Sequence, residues 1–355
     1  MVRIAIDTNG LFTTQAGVAR YIRGLIRGIR RRAEGSLRLD EVAWPVENFS
    51  FRQPRRALRT LYRELVWAKW IGPRLIARTG AHVFHSTGEC LVIPPSGIRH
   101  VATLHDLAVL RFPERFRTWH RHSARLALER LQGADRIICI SRFTANEALA
   151  LLPLRHEKIE VVYNGCEFHP DETLPAERPP DPPAPSEFFL FIGSLEPGKN
   201  LSLLNQVYRL ADLSGITLPP LLVVGARWTG LETEGPPPGN WRYLGRQPDA
   251  VVIHLLRRAL ALVFPSKYEG FGLPVVEAMA LGCPVICSPV ASLPEVGGKA
   301  ACYADLTAES YLAAMQQLAR NDGLRKELSC QGRERAVRFS WGRCAAETLA
   351  VYAFN

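Results

Sequence analysis

Two glutamates bracket a glycine-rich turn in the segment VFPSKYEGFGLPVVEAMALGCPVIC, which spans residues 263–287. Carboxylates accept hydrogen bonds from hydroxyl groups, so Glu269 and Glu277 are candidates for holding a ligand rich in hydroxyls. Glycines at 270 and 272 allow backbone N–H groups to approach a ligand closely. Amides at the start of a helix also attract anions. The segment therefore predicts a cradle for a diphosphate, with hydroxyl-binding carboxylates beside it.

The same segment predicts the elements that hold this cradle, which are a strand, a loop, a helix and a second strand. Pro274 suits the first turn of a helix, where its missing N–H is no loss, and Gly282 suits the position just after the end. We therefore predict a helix from about 274 to 281, with Glu277 one turn inside it and Glu269 before it. A plain tight turn with two solvated glutamates is the alternative that the segment alone leaves open.

Short apolar runs alternate with amphipathic segments along the sequence, which is typical of parallel sheets flanked by helices. A Pro-rich, acidic stretch interrupts this pattern, which then restarts. A length of 355 residues also suits two domains with a cleft between them. We predict an α/β protein with an N-terminal Rossmann-like domain at 1–170, a linker at 171–187 and a C-terminal Rossmann-like domain at 188–340. The loops after the strands are the candidate sites.

Cysteine usage and hydropathy restrict the compartment. The eight cysteines are scattered, without a paired CxxC motif or the spacing of a zinc site, so we expect them to be reduced and buried. The sequence shows neither a secretion signal nor an apolar run of roughly 18 residues that could span a bilayer. We therefore expect a cytoplasmic protein, either free or peripheral on the inner face of the membrane.

The whole sequence has a net charge of +10, and the positive charge is concentrated in its first half. Much of it falls in two stretches, 20–32 and 52–78, where basic residues are interspersed with aromatic and aliphatic ones. Basic and apolar residues at helical spacing suit a helix on an anionic membrane surface. An ordinary solvated helix face fits the same pattern. No nucleic-acid-binding motif accompanies the charge, so a nucleic-acid partner is not expected.

The glutamate segment contains the pattern S-x-x-E-G-F-G-L-P-x-x-E-A-M-A-x-G-x-P-V-I, which resembles the nucleotide-binding signature of retaining GT-B glycosyltransferases of family four. The resemblance covers nearly the whole sequence and points to the subgroup of bacterial mannosyltransferases that build surface polysaccharides. Other segments agree with the family in the same order: AGVARYIRGL after the first strand, TLHDL at 103–107, ADRIICISRFTANEAL at 134–149, KIEVVYNG at 158–165 and FIGSLEPGKNL at 191–201.

The resemblance implies a GT-B fold, in which two Rossmann-like domains face each other across a cleft. A C-terminal helix at about 341–355 crosses back to the first domain, which binds the acceptor. The resemblance also implies that Lys199 neutralises the diphosphate and that His105, followed by Asp106, bonds a hydroxyl of the donor sugar. Together with Glu269, they are the catalytic candidates. The implied donor-binding residues are Gly17, Ser194, Lys199, Glu269, Gly270, Phe271, Gly272, Leu273 and Glu277.

Family relatives commonly carry a second basic residue near Lys199, where this sequence has Ser194 and Gly198. Either another cation substitutes, with Arg142 and Arg246 as candidates, or the leaving group is less stabilised. No D-x-D metal signature is present, so we expect neither a metal ion nor a cofactor. Retention without a clear covalent nucleophile suggests that the departing phosphate oxygen takes the acceptor's proton.

These observations predict a retaining hexosyltransferase that moves mannose from GDP-mannose to a saccharide acceptor. The acceptor could be linked through diphosphate to a polyprenyl lipid. The same fold with a UDP-sugar donor is the first alternative, and a non-catalytic nucleotide-sugar-binding subunit is the alternative of another class. A dinucleotide-dependent oxidoreductase is disfavoured because no G-x-G-x-x-G follows the first strand.

Overall fold

The protein consists of two compact units. The first, here called the N-terminal domain, comprises Met1–Gly165 and Trp341–Asn355, and the second, the C-terminal domain, comprises Cys166–Ser340. The residues that the computed structural model describes are 2–13, 17–33, 37–44, 58, 62–88, 92–226, 238 and 240–353.

The N-terminal domain contains a six-stranded sheet in which all paired neighbours are parallel. Its strands are β1 (Val2–Asp7), β2 (Leu37–Val42), β3 (Val83–Ser86), β4 (Arg99–Leu104), β5 (Arg136–Cys139) and β6 (Ile159–Val161), in the spatial order β2-β1-β3-β4-β5-β6. Its helices are α1 (Gly10–Thr13), α2 (Gly17–Ala33), a π-helix (Arg63–Ile71), α3 (Gly72–Thr79), α4 (Ala108–Arg111), α5 (Thr118–Gln132) and α6 (Arg142–Leu151).

The C-terminal domain contains a second six-stranded sheet, also parallel at every pairing. Its strands are β7 (Phe189–Ile192), β8 (Leu221–Val224), β9 (Trp241–Gly245), β10 (Ala261–Phe264), β11 (Val285–Cys287) and β12 (Cys302–Tyr303), in the order β12-β11-β10-β7-β8-β9. Its helices are α7 (Leu201–Leu213), α8 (Asp249–Arg258), α9 (Leu273–Ala280), α10 (Leu293–Gly297), α11 (Ala308–Arg320) and α12 (Asp322–Ala336).

Burial explains why the central strands are continuous apolar runs and not alternating ones. Every residue of β8 and β10 is buried, as expected for parallel strands covered by helices on both faces. The helix expected at 274–281 is α9, one residue earlier, and Gly282 follows it in the left-handed conformation at φ 75°. The prediction of two Rossmann-like α/β domains is therefore confirmed.

The last helix, α13 (Trp341–Tyr352), belongs to the N-terminal domain and packs along α2. Trp341 is 1% exposed and lies in the same apolar cluster as Ile4 and Ile22. A Cβ atom added at Gly24 would lie 2.1 Å from the indole of Trp341, and one at Gly28 would lie 2.5 Å from its carbonyl oxygen. The expected return of the C-terminal helix to the first domain is confirmed, and the small residues of α2 make room for it.

The structure differs from the sequence-based expectation at two edge strands, in the stretch 171–187 and at Cys330. The edge strands β2 and β12 were not predicted, because β2 is largely solvent-accessible and β12 has only two residues. The stretch expected as a linker, 171–187, lies within the C-terminal domain, where the guanidinium of Arg242 donates to the carbonyl oxygens of Pro182 and Pro183. Of the seven described cysteines, all are free, but Cys330 is exposed, contrary to expectation; Cys90 lies outside the described residues.

Candidate active site

Three loops of the C-terminal domain meet at the carboxyl edge of its sheet. They follow the adjacent strands β7, β10 and β11 and cover residues 193–200, 265–272 and 288–292. The backbone N–H of Lys267 donates to the carbonyl oxygen of Gly198 at 2.9 Å, which joins the first loop to the second. The hydroxyl of Ser292 donates to the carbonyl oxygen of Glu269 at 2.9 Å, which joins the second to the third.

Lys199 and Glu269 form an ion pair between the first two loops. The Nζ atom of Lys199 lies 2.5 Å from Oε1 of Glu269 and 5.4 Å from the centre of the Phe264 ring. Their side chains are 18% and 11% exposed, respectively. A short turn at Pro197–Lys199, capped by the carboxylate of Glu196, presents the lysine. The pair is thus mostly shielded from water, with a small part of each side chain exposed.

The helix α9 begins in a way that leaves its first amides without a side-chain cap. Its N-cap is Gly272, which adopts φ 96° and has no side chain to bond the helix N–H groups. An added Cβ atom there would lie 2.8 Å from Leu293, so both the backbone conformation and the space favour glycine. An uncapped helix start of this kind is suited to an anion.

Glu277 and Phe271 are both buried beside this helix start, at 3% exposure each. Glu277 lies on the second turn of α9. The ring of Phe271 packs edge-on against Phe339, with 5.5 Å between the ring centres. The Phe271 side chain is therefore part of the core, and only its backbone is suited to contact a ligand.

A very close backbone approach holds the loop that carries Lys199. Gly225, at the end of β8, adopts φ 148°, and a Cβ atom added to it would lie 1.7 Å from the carbonyl oxygen of Gly193. The amide of Gly193 in turn donates to the carbonyl oxygen of Val224 at 3.0 Å. No side chain fits at position 225 without moving the backbone of the Lys199 loop.

In the N-terminal domain, His105 follows β4 and is held by two contacts. Its Nε2 atom lies 2.8 Å from the carbonyl oxygen of Thr87, and its ring packs edge-on against Tyr21 at 5.0 Å. Burial lowers the pKa of His105, although the Thr87 carbonyl and the nearby Asp106 act in the opposite direction. Because a carbonyl oxygen only accepts, Nε2 carries the proton and Nδ1 of the neutral ring is left as an acceptor.

Comparison with known proteins identifies the family. The family profile "Glycosyltransferase Family 4" matches residues 16–168, and the profile "Glycosyl transferases group 1" matches residues 176–335. The sequence is 33% identical over 288 residues to O-antigen chain mannosyltransferase B of Escherichia coli, covering 76% of this protein and 74% of that one. It belongs to the family 4 glycosyltransferases. The serotype-specific mannosyltransferase WbdA of the same species is 28% identical over 295 residues, which cover 76% of this protein and 35% of WbdA.

Solved structures share the fold of this protein. Sucrose-phosphate synthase from Thermosynechococcus elongatus superimposes with a TM-score of 0.72 at 18% identity, covering 99% of this glycosyltransferase and 98% of that chain. HepE of Anabaena, in complex with UDP and glucose, superimposes with a TM-score of 0.68 at 15% identity, covering 99% of each chain. At such identities the likeness establishes the fold and nothing finer.

The glycosyltransferase brings together most of the predicted site residues within its C-terminal domain. Ser194 and Lys199 share the loop after β7, and Glu269, Gly270, Phe271, Gly272 and Leu273 continue from the loop after β10 into α9. Of the suggested cations, Arg246 follows β9, which β8 separates from β7, whereas Arg142 starts α6 in the other domain. Gly17 and His105 also lie in the N-terminal domain, where Gly17 starts α2. The roles assigned to these residues remain predictions.

Sequence reasoning overlooked several residues that shape this site in the glycosyltransferase. Ser292 fixes the backbone of Glu269, and Phe264 lies under Lys199. Lys267 is a second, exposed lysine next to the Lys199 loop, because its backbone N–H donates to the carbonyl oxygen of Gly198. Its position between Ser266 and Tyr268 in the signature was the available signal. Within the described residues, no group of three or more His, Cys, Asp or Glu side chains could hold a metal ion.

Proposed function

We propose that this glycosyltransferase transfers mannose from GDP-mannose to a saccharide acceptor, with retention of anomeric configuration and without a metal ion. The observation that carries the proposal is the Lys199–Glu269 pair beside the uncapped start of α9. It sets a cation, backbone amides and a hydroxyl-binding carboxylate side by side, which matches the three parts of a sugar diphosphate. The similarity to O-antigen chain mannosyltransferase B supports mannose and a role in surface polysaccharide synthesis.

The diphosphate is proposed to lie against the start of α9 and Lys199. Bond cleavage at the anomeric carbon places additional negative charge on the leaving diphosphate. The ammonium of Lys199 and the amides near Gly272 lie in a largely buried setting, where fixed positive groups stabilise such charge more strongly than water does. This arrangement performs the task for which other transferases use a divalent cation, so no metal ion is required.

The hydroxyl groups of the donor are proposed to bind three side chains. Glu277 accepts from the ribose hydroxyls, and Glu269 accepts from the sugar. His105 offers Nδ1 to another sugar hydroxyl, since its Nε2 is committed to the carbonyl of Thr87. Because burial lowers its pKa, the ring is neutral near pH 7 and retains this acceptor.

Retention is proposed to follow a same-face course. The acceptor hydroxyl forms its bond to the anomeric carbon on the face from which the diphosphate leaves. The departing phosphate oxygen takes the acceptor's proton. Both glutamates are engaged in donor recognition, so the protein contributes positioning and electrostatic stabilisation and not a covalent nucleophile.

Nucleotide binding tests the donor assignment directly. Calorimetric titration in EDTA with GDP, UDP, GDP-mannose and UDP-glucose is expected to show binding of the guanine pair only. Glu277→Gln keeps the size of the side chain but removes its charge, so the affinity for GDP is expected to fall roughly 10- to 100-fold. The exposed Glu327 of α12 provides the matched control, and Glu327→Gln should bind GDP like the wild type.

Other outcomes of this titration, together with an assay of sugar transfer, decide between the alternatives. Binding of the uracil pair only would keep the enzyme class and replace the donor. Binding of GDP-mannose without transfer to any lipid-linked or free saccharide would favour the non-catalytic subunit. Absence of all nucleotide binding in EDTA, with recovery in Mg²⁺, would contradict metal independence.

The acceptor is proposed to be a lipid-linked saccharide at an anionic membrane surface. Four apolar side chains in and beside the π-helix and α3 are exposed, and Trp70 is the most exposed of them at 59%. The four are Tyr62, Val66, Trp70 and Leu75. The basic residues Lys69, Arg74 and Arg78 lie on the same elements. Residues 52–57 and 59–61 of the basic stretch lie outside the described part of the chain. No described helix is long and apolar enough to cross a bilayer.

Vesicle flotation tests this membrane surface. The protein is expected to float with vesicles containing anionic lipid at low salt and to be released at high salt. Trp70→Ser should lower the bound fraction, and Lys69→Gln should weaken partitioning by about fivefold, since one basic residue near such a surface contributes about 1 kcal/mol. Leu213→Ser, which removes an exposed apolar residue of the C-terminal domain, serves as the control. Equal binding to neutral vesicles, or none at low salt, would refute the proposal.

A further inference from the structure

A continuous set of buried hydrogen bonds crosses the N-terminal domain from the last helix to α2. The hydroxyl of Tyr352 in α13 lies 2.6 Å from Nδ1 of His85 in β3. Nε2 of His85 lies 2.8 Å from the hydroxyl of Thr103 in β4, which lies 2.8 Å from the hydroxyl of Tyr21 in α2. All four side chains are buried. We call these four residues the Tyr352–Tyr21 network.

Burial of all four side chains makes the hydrogen bonds of the network depend on one another. Burial lowers the pKa of His85 to about 3, so its ring is neutral and has one donating and one accepting nitrogen. Each ring nitrogen is matched to one hydroxyl, and the hydroxyl of Thr103 bridges His85 and Tyr21. A buried polar group that loses its partner is costly. The network therefore fixes the rotamer of Tyr21 and not merely its burial.

Tyr21 is the member of the network that contacts His105. Its ring lies edge-on to His105, with 5.0 Å between ring centres and 83° between ring planes. The imidazole of His105 also contacts the carbonyl oxygen of Thr87. The hydroxyl of Thr87 donates in turn to the carbonyl oxygen of Asp7 at the end of β1. The Tyr21 ring and the Thr87 carbonyl are the two contacts of the His105 ring that the described residues show.

We propose that Tyr21, Thr103, His85 and Tyr352 are positioning residues that hold His105 in the orientation required for the donor sugar. The inference rests on the proposed role of His105. It assigns a functional task to Tyr352, on the last helix, whose hydroxyl contacts His85. From His85 the hydrogen bonds continue through Thr103 to Tyr21, whose ring contacts His105. A purely structural role would instead lower stability without changing the state of His105.

Substitutions within the network test this inference. Thr103→Val preserves the shape of the side chain but breaks both of its hydrogen bonds, whereas Thr103→Ser keeps the hydroxyl. Tyr352→Phe breaks the network at its far end. Tyr208→Phe is the matched control, since Tyr208 is buried in the C-terminal domain and its hydroxyl donates to the carbonyl oxygen of Pro219. The first readout is the NMR signal of the His105 imidazole, assigned with His105→Gln, and the second is kcat beside the affinity for GDP.

We expect Thr103→Val and Tyr352→Phe to shift the His105 signal and to lower kcat by roughly 10- to 100-fold, as misplacement of a site group by about 1 Å does. The affinity for GDP should stay within about twofold, and Thr103→Ser should restore both readouts. Tyr208→Phe should reduce thermal stability alone. An unchanged His105 signal in both Thr103→Val and Tyr352→Phe would overturn the positioning role. A shifted signal together with full activity of His105→Gln would instead refute the role of His105 in the proposed function.

Discussion

Lys199→Ala is expected to lower kcat by about 100- to 1,000-fold, the loss typical of removing one group that stabilises developing negative charge. The ammonium of Lys199 is the described positive group closest to Glu269, at 2.5 Å, and it lies over the Phe264 ring in a largely buried setting. Removing it withdraws a cation from the proposed diphosphate site and leaves the carboxylate of Glu269 without its counter-ion. Initial rates with GDP-mannose and a saccharide acceptor would measure the effect.

A double-mutant cycle separates these two consequences. Because Lys199 and Glu269 are in direct contact, the effects of Lys199→Ala and Glu269→Gln should not add. Lys199→Arg retains the charge and should keep more activity than Lys199→Ala. The exposed Lys299 provides a control, since Lys299→Ala should leave kcat unchanged. If Lys199→Ala keeps more than half of the wild-type kcat, the leaving-group role assigned to Lys199 is wrong.

Trp341→Ala is expected to reduce the free energy of unfolding of the N-terminal domain by about 3–5 kcal/mol, the range for truncating a buried aromatic side chain. The indole is 1% exposed and fills the space above Gly24 of α2 and beside Gly165, whereas Gly28 faces the backbone carbonyl of Trp341. From the other side, Gly24→Ala should cost about 1–3 kcal/mol, because its methyl group would overlap the indole. Urea unfolding followed by circular dichroism would measure both changes.

The neighbouring Val337 provides the control for this experiment. It is 57% exposed, so Val337→Ala should change stability by no more than about 0.5 kcal/mol. Since Gly24 and Trp341 are in contact, the cost of Gly24→Ala should largely disappear in the background of Trp341→Ala. Equal costs of Gly24→Ala in both backgrounds would contradict the packing of Trp341 against Gly24.

The sequence is sufficient to locate α9 and its flanking strands, because the signals involved are local. Pro274 and Gly282 mark the ends of the helix, and apolar runs mark β10 and β11. The two-residue strand β12 and the solvent-accessible strand β2 lack such signals, since little of either is buried. The stretch at 171–187 was predicted to be a linker but lies within the C-terminal domain. Its composition excludes regular structure, but it does not exclude contact with Arg242.

The arrangement of the candidate site is less accessible to sequence reasoning, because it depends on contacts between distant residues. Lys199 and Glu269 are each recognisable within their own motifs, but their ion pair spans 70 positions. Ser292 looks like an ordinary loop serine until its bond to Glu269 is seen. Tyr21 occupies the apolar face of α2, so its periodicity predicts burial and gives no hint of His105. Local motifs thus identify the participants, and tertiary packing decides which of them meet.

The return of α13 to the N-terminal domain also affects the order in which the protein can be completed on the ribosome. Residues 2–165 emerge first, but the surface of α2 around Gly24 and Gly28 stays uncovered until Trp341 has been synthesised. The C-terminal domain, in contrast, is one uninterrupted stretch of the chain. The half that is made first is therefore finished last, and in the meantime its exposed apolar surface is open to chaperones and to aggregation.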